Sequence, residues 1–224
     1  MNDYPAKTSY TADDLVKIIA LLRDPENGCP WDKVQTHQSI RMNFLEEAYE
    51  AVDAIDLEDS YLLCEELGDV LMQVVFHTQI EQEKGNFTWQ EVCDGVCRKL
   101  IERHPHIFGG DTSIKDWDAL KNKEKGRLTL QDDLSSVPQA LPALMRAAKL
   151  QKRAARYQVA VSAAPQMVEE SAEMLQAAAD EAAAEQAAGK LLFQAVALAR
   201  KAGIDPEQAL QRYNAAFTEN PESN

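Results

Sequence analysis

Four acids, Glu47, Glu50, Glu66 and Asp69, carry the spacing in this chain that most directly implies chemistry. Glu47 and Glu50 stand three apart in FLEEAYEAVDAI, and Glu66 and Asp69 stand three apart in EELGDVLMQVVF. Each pair therefore shares one face of a helix. Folding the two segments as an antiparallel hairpin about Glu58 sets Glu50 across from Glu66 and Glu47 across from Asp69, because the members of each pair are equally far from the turn. Two carboxylates about 5 Å apart repel by roughly 3 kcal/mol at an effective dielectric near 20. A square of four must take up protons or hold a cation. All-oxygen donors without His or Cys select a hard ion, Mg²⁺ or Mn²⁺. The competing reading is a solvated acidic face, since ExxE alone is common on exposed helices; two pairs matched across one turn, beside apolar runs, favour the metal. A di-iron bundle needs Glu-x-x-His, and none of His37, His77, His104 or His106 has an acid three residues before it.

The elements that must position these acids read as helices. Thr11 with Asp14 opens a first helix over about 12–23, which stops before Pro25. DPENGCPWD is a loop, with Trp31 expected to anchor it under the first helix and base contact as the alternative. Thr36 is expected to cap a second helix running to about Leu57, and EDS turns the chain into a third helix ending near Lys84. Leu67, Val70, Leu71, Val74 and Val75 give that third helix an apolar stripe at helical period, expected to face a core. Gly68 costs about 1 kcal/mol in a helix interior. Its expected use is to let a facing backbone or a bulky ligand come close. Thr88 and Glu91 form a capping box for a fourth helix that ends before Pro105. HPHIFGGDTS reads as loop and about 115–125 as a short fifth helix. KGRLTLQDDLSSVPQALP is polar and proline-marked, the best linker candidate, with GRLTL the one weak strand candidate. Three or four Ala-rich helices follow. The fold class is all-α, built of helical bundles.

Composition bounds the function. The 224 residues, 45% of them hydrophobic, suffice for one large or two small domains with a core. A formal charge of −14 argues against long nucleic acid, whose phosphates need clustered Lys and Arg. No stretch is long and apolar enough for a membrane span, and MNDYPAKTSY lacks a signal-peptide core. A cytoplasmic protein is expected, with Cys29, Cys64, Cys93 and Cys97 as reduced thiols. Without C-x-x-C spacing, a structural zinc site is disfavoured.

Over residues 15–125 the chain resembles the MazG family of all-α nucleoside triphosphate pyrophosphohydrolases. The resemblance is carried by LRDPENGCPWDKVQTHQSI, LEEAYEAVDAI, EELGDVLMQVVFHTQ and KLIERHPHIFG. It implies Mg²⁺-dependent cleavage between the α and β phosphates, giving a nucleoside monophosphate and pyrophosphate from an NTP or dNTP. Glu47, Glu50, Glu66 and Asp69 match the family's metal ligands, with Glu46 beside them to orient or deprotonate water, and Glu47 shares that catalytic role. Lys99 and Arg103, i and i+4 on the fourth helix, resemble a phosphate-contacting pair; the alternative is a solvated basic face. Trp117 and Lys121 match a W-x-x-x-K element near the nucleotide, where Trp117 either stacks a base or plugs the core. A non-catalytic nucleotide sensor or scaffold is the alternative to an enzyme. A hairpin bundle of this kind leaves an apolar face uncovered, so a homodimer is expected.

The family typically carries two such domains, and MVEESAEML parallels FLEEAYEAV, so Glu170 and Glu173 answer Glu47 and Glu50. In AAGKLLFQAVALA, Ala187 stands at the place of Glu66 and Lys190 at that of Asp69. Lys190 is expected to pair with Glu170 where a metal would sit. Further on, Ala216 and Asn220 take the places of Lys99 and Arg103. The expected organisation is a catalytic domain over 1–125, a linker over 126–140 and a degenerate copy over 141–224. That leaves one competent site, with the second half structural or dimer-forming.

Overall fold

The computed structural model describes residues 4, 6–109 and 129–221. Among these there are helices and turns and no strand. The chain divides into two compact units, Met1–Ile114 and Lys115–Asn224. The helix expected over about 115–125, with Trp117 and Lys121, lies outside the described residues, as does the start of the expected linker.

In the first unit, α1 (Ala12–Leu22) begins at the expected capping box, in which Thr11 and Asp14 exchange side chain-to-backbone bonds. The loop after it turns tightly enough that a Cβ on Gly28 would lie 2.4 Å from the Asp24 carbonyl oxygen. Only glycine fits there. Trp31 does not anchor this loop; it is 58% exposed. The anchor is Arg23, buried at the end of α1. Its Nε and Nη2 donate to Glu83 at 2.8 Å each, and its Nη1 donates to the carbonyls of Asp32 and Gln35. A single 3-10 turn (Asp32–Val34) follows.

Helix α2 (Arg41–Asp56) starts later than its expected cap, because Thr36 is spent on a turn of its own. Its hydroxyl accepts from the Ser39 N–H and its carbonyl from the Ile40 N–H. Helix α3 (Ser60–Glu83) is the longest element and packs antiparallel to α2, with α1 and α4 also against it. Ile19, Ile40, Val75, Phe76 and Ile80 form the core. The apolar stripe of α3 is thus only half used: Val75 is buried, whereas Leu67 is 53% exposed and Leu71 is also exposed. Among the described residues nothing lies within 4 Å of a Cβ placed on Gly68, so none of them makes the close backbone approach expected there. Helix α4 (Trp89–Arg103) opens on the expected Thr88–Glu91 capping box. The HPHIF stretch, read as loop, forms one helical turn, α5 (Pro105–Phe108), because Pro105 is pre-organised for the first helical position.

In the second unit, part of the expected linker is structured. Thr129 and Asp132 make a capping box for α6 (Leu130–Ser135). On α6, Asp133 is 0% exposed and meets Arg153 at 3.2 Å and Arg156 at 3.5 Å. A polar stretch reads as linker when the arginines that neutralise its acid lie on a later helix. Helices α7 (Ala143–Arg156), α8 (Pro165–Gln176), α9 (Glu181–Lys201) and α10 (Pro206–Glu219) complete the unit. Helix α9 packs against α7, α8 and α10.

Candidate metal centre

The α2–α3 hairpin turns where the acid spacing requires. Glu58 adopts a left-handed φ of 55°. The Asp59 N–H bonds the Ala54 carbonyl and the Glu58 N–H bonds the Ile55 carbonyl, a Schellman end to α2. Asp59 then caps α3 by accepting from the Tyr61 and Leu62 amides. This turn brings Glu47 of α2 together with Glu66 and Asp69 of α3, one carboxylate oxygen of each lying within 4.8 Å of the others.

All three are partly exposed. Partial burial, followed by the charges of Asp69 and Glu50, holds the Glu47 carboxyl above the usual carboxylate range. Glu66 is raised by partial burial and then by Glu50, Asp69 and Glu65. Burial is the larger cause of both shifts and the crowding of acids the second. No Lys or Arg among the described residues forms an ion pair with any of the three. The donor set is all-oxygen and net negative, so it fits a hard divalent cation. Glu50 is exposed and stands outside the 4.8 Å group, although its charge reaches both Glu47 and Glu66. Glu46 is exposed, and its neighbour Glu47 faces a different direction on the helix.

Lys99 and Arg103 lie on α4, which packs on α3; Lys99 is exposed and Arg103 half-buried. In the second unit, Lys190 does not pair with Glu170; its ammonium lies 3.4 Å from the Met174 sulfur. All four cysteines are free.

Two groups beside the acids escaped sequence reasoning. Gln73, buried on α3, has its Nε2 3.5 Å from Glu47 Oε1. The legible signal was an amide one turn beyond Asp69 inside an otherwise apolar run. Further along α3, His77 Nδ1 lies 2.7 Å from His37 Nδ1, and His37 Nε2 lies 2.6 Å from Glu81 Oε1. The two imidazoles are within 7° of parallel, with centroids 5.0 Å apart. Nitrogens this close mean coplanar rings joined edge to edge by one N–H···N bond. A face-to-face stack would hold them further apart. Spacing alone offered no sign of this pair.

An all-α hairpin presenting three convergent carboxylates defines a class of helical metal-site proteins, and sequence comparison identifies which. Residues 35–108 match the MazG nucleotide pyrophosphohydrolase domain. The chain is 42% identical over 219 residues to the nucleoside triphosphate pyrophosphohydrolase of Escherichia coli K12, covering 92% of this chain and 83% of that one. It is 40% identical over 214 residues to the nucleoside triphosphate pyrophosphohydrolase/pyrophosphatase MazG of Thermotoga maritima, covering 92% and 82% respectively. A Mycobacterium tuberculosis protein named nucleoside triphosphate pyrophosphohydrolase is 37% identical over 66% of this chain and 47% of its own length. The chain belongs to the MazG family.

Proposed function

We propose that this chain hydrolyses nucleoside triphosphates to nucleoside monophosphate and pyrophosphate, with Mg²⁺ as cofactor, Mn²⁺ as a substitute, and one competent site in the first unit. The observation that carries the reading is the convergence of Glu47, Glu66 and Asp69 within 4.8 Å across one hairpin. The names of its relatives supply the substrate class.

Glu47, Glu50, Glu66 and Asp69 would hold the cation, which would neutralise phosphate charge and acidify a water. Glu46 and Glu47 would orient the attacking water and accept its proton. Lys99 and Arg103 offset the charge that develops on the leaving pyrophosphate. Trp117 and Lys121 are proposed as nucleotide-binding residues on the family resemblance alone.

The second unit is proposed as a degenerate copy. Its helices pair in the order of the first: α7 with α9, α8 with α9 and α9 with α10, as α1 with α3, α2 with α3 and α3 with α4. Gly85 and Gly203, with φ of 73° and 75°, end α3 and α9 alike. Ala187 and Lys190 stand where a second cage would need acids. A cytoplasmic homodimer is proposed, supported by four free thiols and by the apolar residues exposed on α3. No described helix is long and apolar enough to cross a membrane.

The test is incubation of the full chain with canonical and damaged NTPs and dNTPs, with and without Mg²⁺, and chromatographic identification of products. Mg²⁺-dependent pyrophosphate release, lost in Glu50→Gln and in Asp69→Asn, is the expected result. Unchanged release in both variants defeats the site assignment. Tight nucleotide binding with no monophosphate after long incubation points instead to a sensor or scaffold.

A further inference from the structure

We infer that Gln73 is a positioning residue for the Glu47 carboxylate, fixing which oxygen of Glu47 faces the cation; this rests on the metal reading above. Gln73 is only 6% exposed, on the side of α3 that faces α2. Burying an amide costs about 1–3 kcal/mol unless it is bonded. The partner its geometry provides is Glu47 Oε1, 3.5 Å from Gln73 Nε2. Gln73 lies one helical turn beyond Asp69, so one stripe of α3 delivers both a ligand and the group that orients a ligand on α2. An amide donor suits this task. Its NH2 holds a carboxylate by one oxygen and leaves the other for a cation. Donation from Gln73 also opposes the rise in the Glu47 pKa that burial and Asp69 cause.

The second unit supplies an internal comparison. Gln194 stands four residues after Lys190, as Gln73 stands four after Asp69. Its Oε1 is buried with no hydrogen-bond partner. There Glu170 stands at the place of Glu47, but Ala187 and Lys190 remove the two acids that would share a cation with it.

The experiment measures Mn²⁺ affinity of the full chain without nucleotide, by calorimetry. The variants are Gln73→Met, of similar length but apolar, and Gln73→Asn, an amide too short to reach Glu47. Groups of this kind behind a metal ligand typically change affinity by 10–100-fold. Both variants are therefore expected to bind Mn²⁺ roughly 10–100-fold more weakly while the metal-free melting temperature of Gln73→Met holds or rises. Mn²⁺ affinity within twofold of wild type in a folded variant overturns the inference. If neither variant folds, Gln73 serves the fold and the inference is wrong. Asp69→Asn separates the two levels. Unchanged Mn²⁺ binding there removes the metal site and this inference together; binding lost there but kept in Gln73→Met removes the inference alone.

Discussion

Burial and then neighbouring acids push both carboxyls up in the protein without a cation, Glu47 beside Asp69 and Glu50, and Glu66 beside Glu50, Asp69 and Glu65. Neutralising one therefore has opposite effects on fold and function. Glu47→Gln is expected to raise the melting temperature of the metal-free protein and to abolish the further rise that Mg²⁺ gives wild type. Calorimetric scans with and without Mg²⁺ check both halves. The His37–His77 pair gives a second prediction at this scale. Burial, followed by the charge of His37, lowers the His77 pKa from 6.5, so the folded state binds that proton less readily than the unfolded chain does. Its stability contribution is complete above 6.5 and is lost as pH falls through the lower folded value. Glu81, held down to about 2 by Lys84, Asn86 and His37, loses its contribution only below 4.5, so the two windows are distinct. His77→Asn keeps a donor near the Nδ1 position without the titration. It is expected to flatten the fall in melting temperature between about pH 7 and pH 5.5. The convergence of Glu47, Glu66 and Asp69, a group outside which Glu50 stands, was legible because each pair of acids is local and one turn joins them. Gln73, Arg23 and His77 were not, because their partners lie 26, 60 and 40 residues away.

At the scale of elements, the same division holds. The boxes at Thr11 and Thr88 were readable because a cap is closed within four residues. Thr36 carries the same residue type but has Ser39, not an acid, three residues on, and it closes a turn instead. The stretch after Thr129 was misread as linker because its buried acid is matched by arginines 20 and 23 residues on. Asp133→Ala removes the carboxylate that faces Arg153 and Arg156, while Arg153 keeps the backbone carbonyl of position 133 and Ser136 Oγ. The loss is therefore expected at the low end of the roughly 3–5 kcal/mol for breaking a buried pair from one side. Urea denaturation of the full chain is expected to show a loss of that size. The α2–α3 turn gives the opposite sign. Glu58 sits in the left-handed region, where a residue with a Cβ is disfavoured by roughly 1–2 kcal/mol. Part of that returns as backbone entropy when glycine is placed there. Glu58→Gly is expected to stabilise the fold by about 1 kcal/mol and to leave pyrophosphate release unchanged. It lies outside the acid group, and the register of the hairpin is already set by the Asp59 cap and the packing of α2 on α3.

The whole molecule exposes more large apolar side chains on the hairpin than a stable monomer has reason to. Tyr61 is 82% exposed, and Val52, Ile55, Leu67 and Leu71 join it. Leu67 and Leu71 share one face of α3, and the space over Gly68 beside them is open. Large exposed patches of this kind mark association surfaces. A second copy of the hairpin is the proposed partner, since a two-fold axis would set the same patch against itself. On that proposal one half of the α3 stripe closes the core around Val75 and the other half would meet the partner. Light scattering is expected to give twice the 25.0 kDa chain mass for wild type. It is expected to give a single chain for the double variant Leu67→Glu, Leu71→Glu. Burial across such an interface also stabilises the fold by mass action, so the melting temperature of wild type should climb with protein concentration while that of the double variant does not. Wild type scattering as a single chain, with a melting temperature independent of concentration, would show that this stripe is exposed for some other purpose.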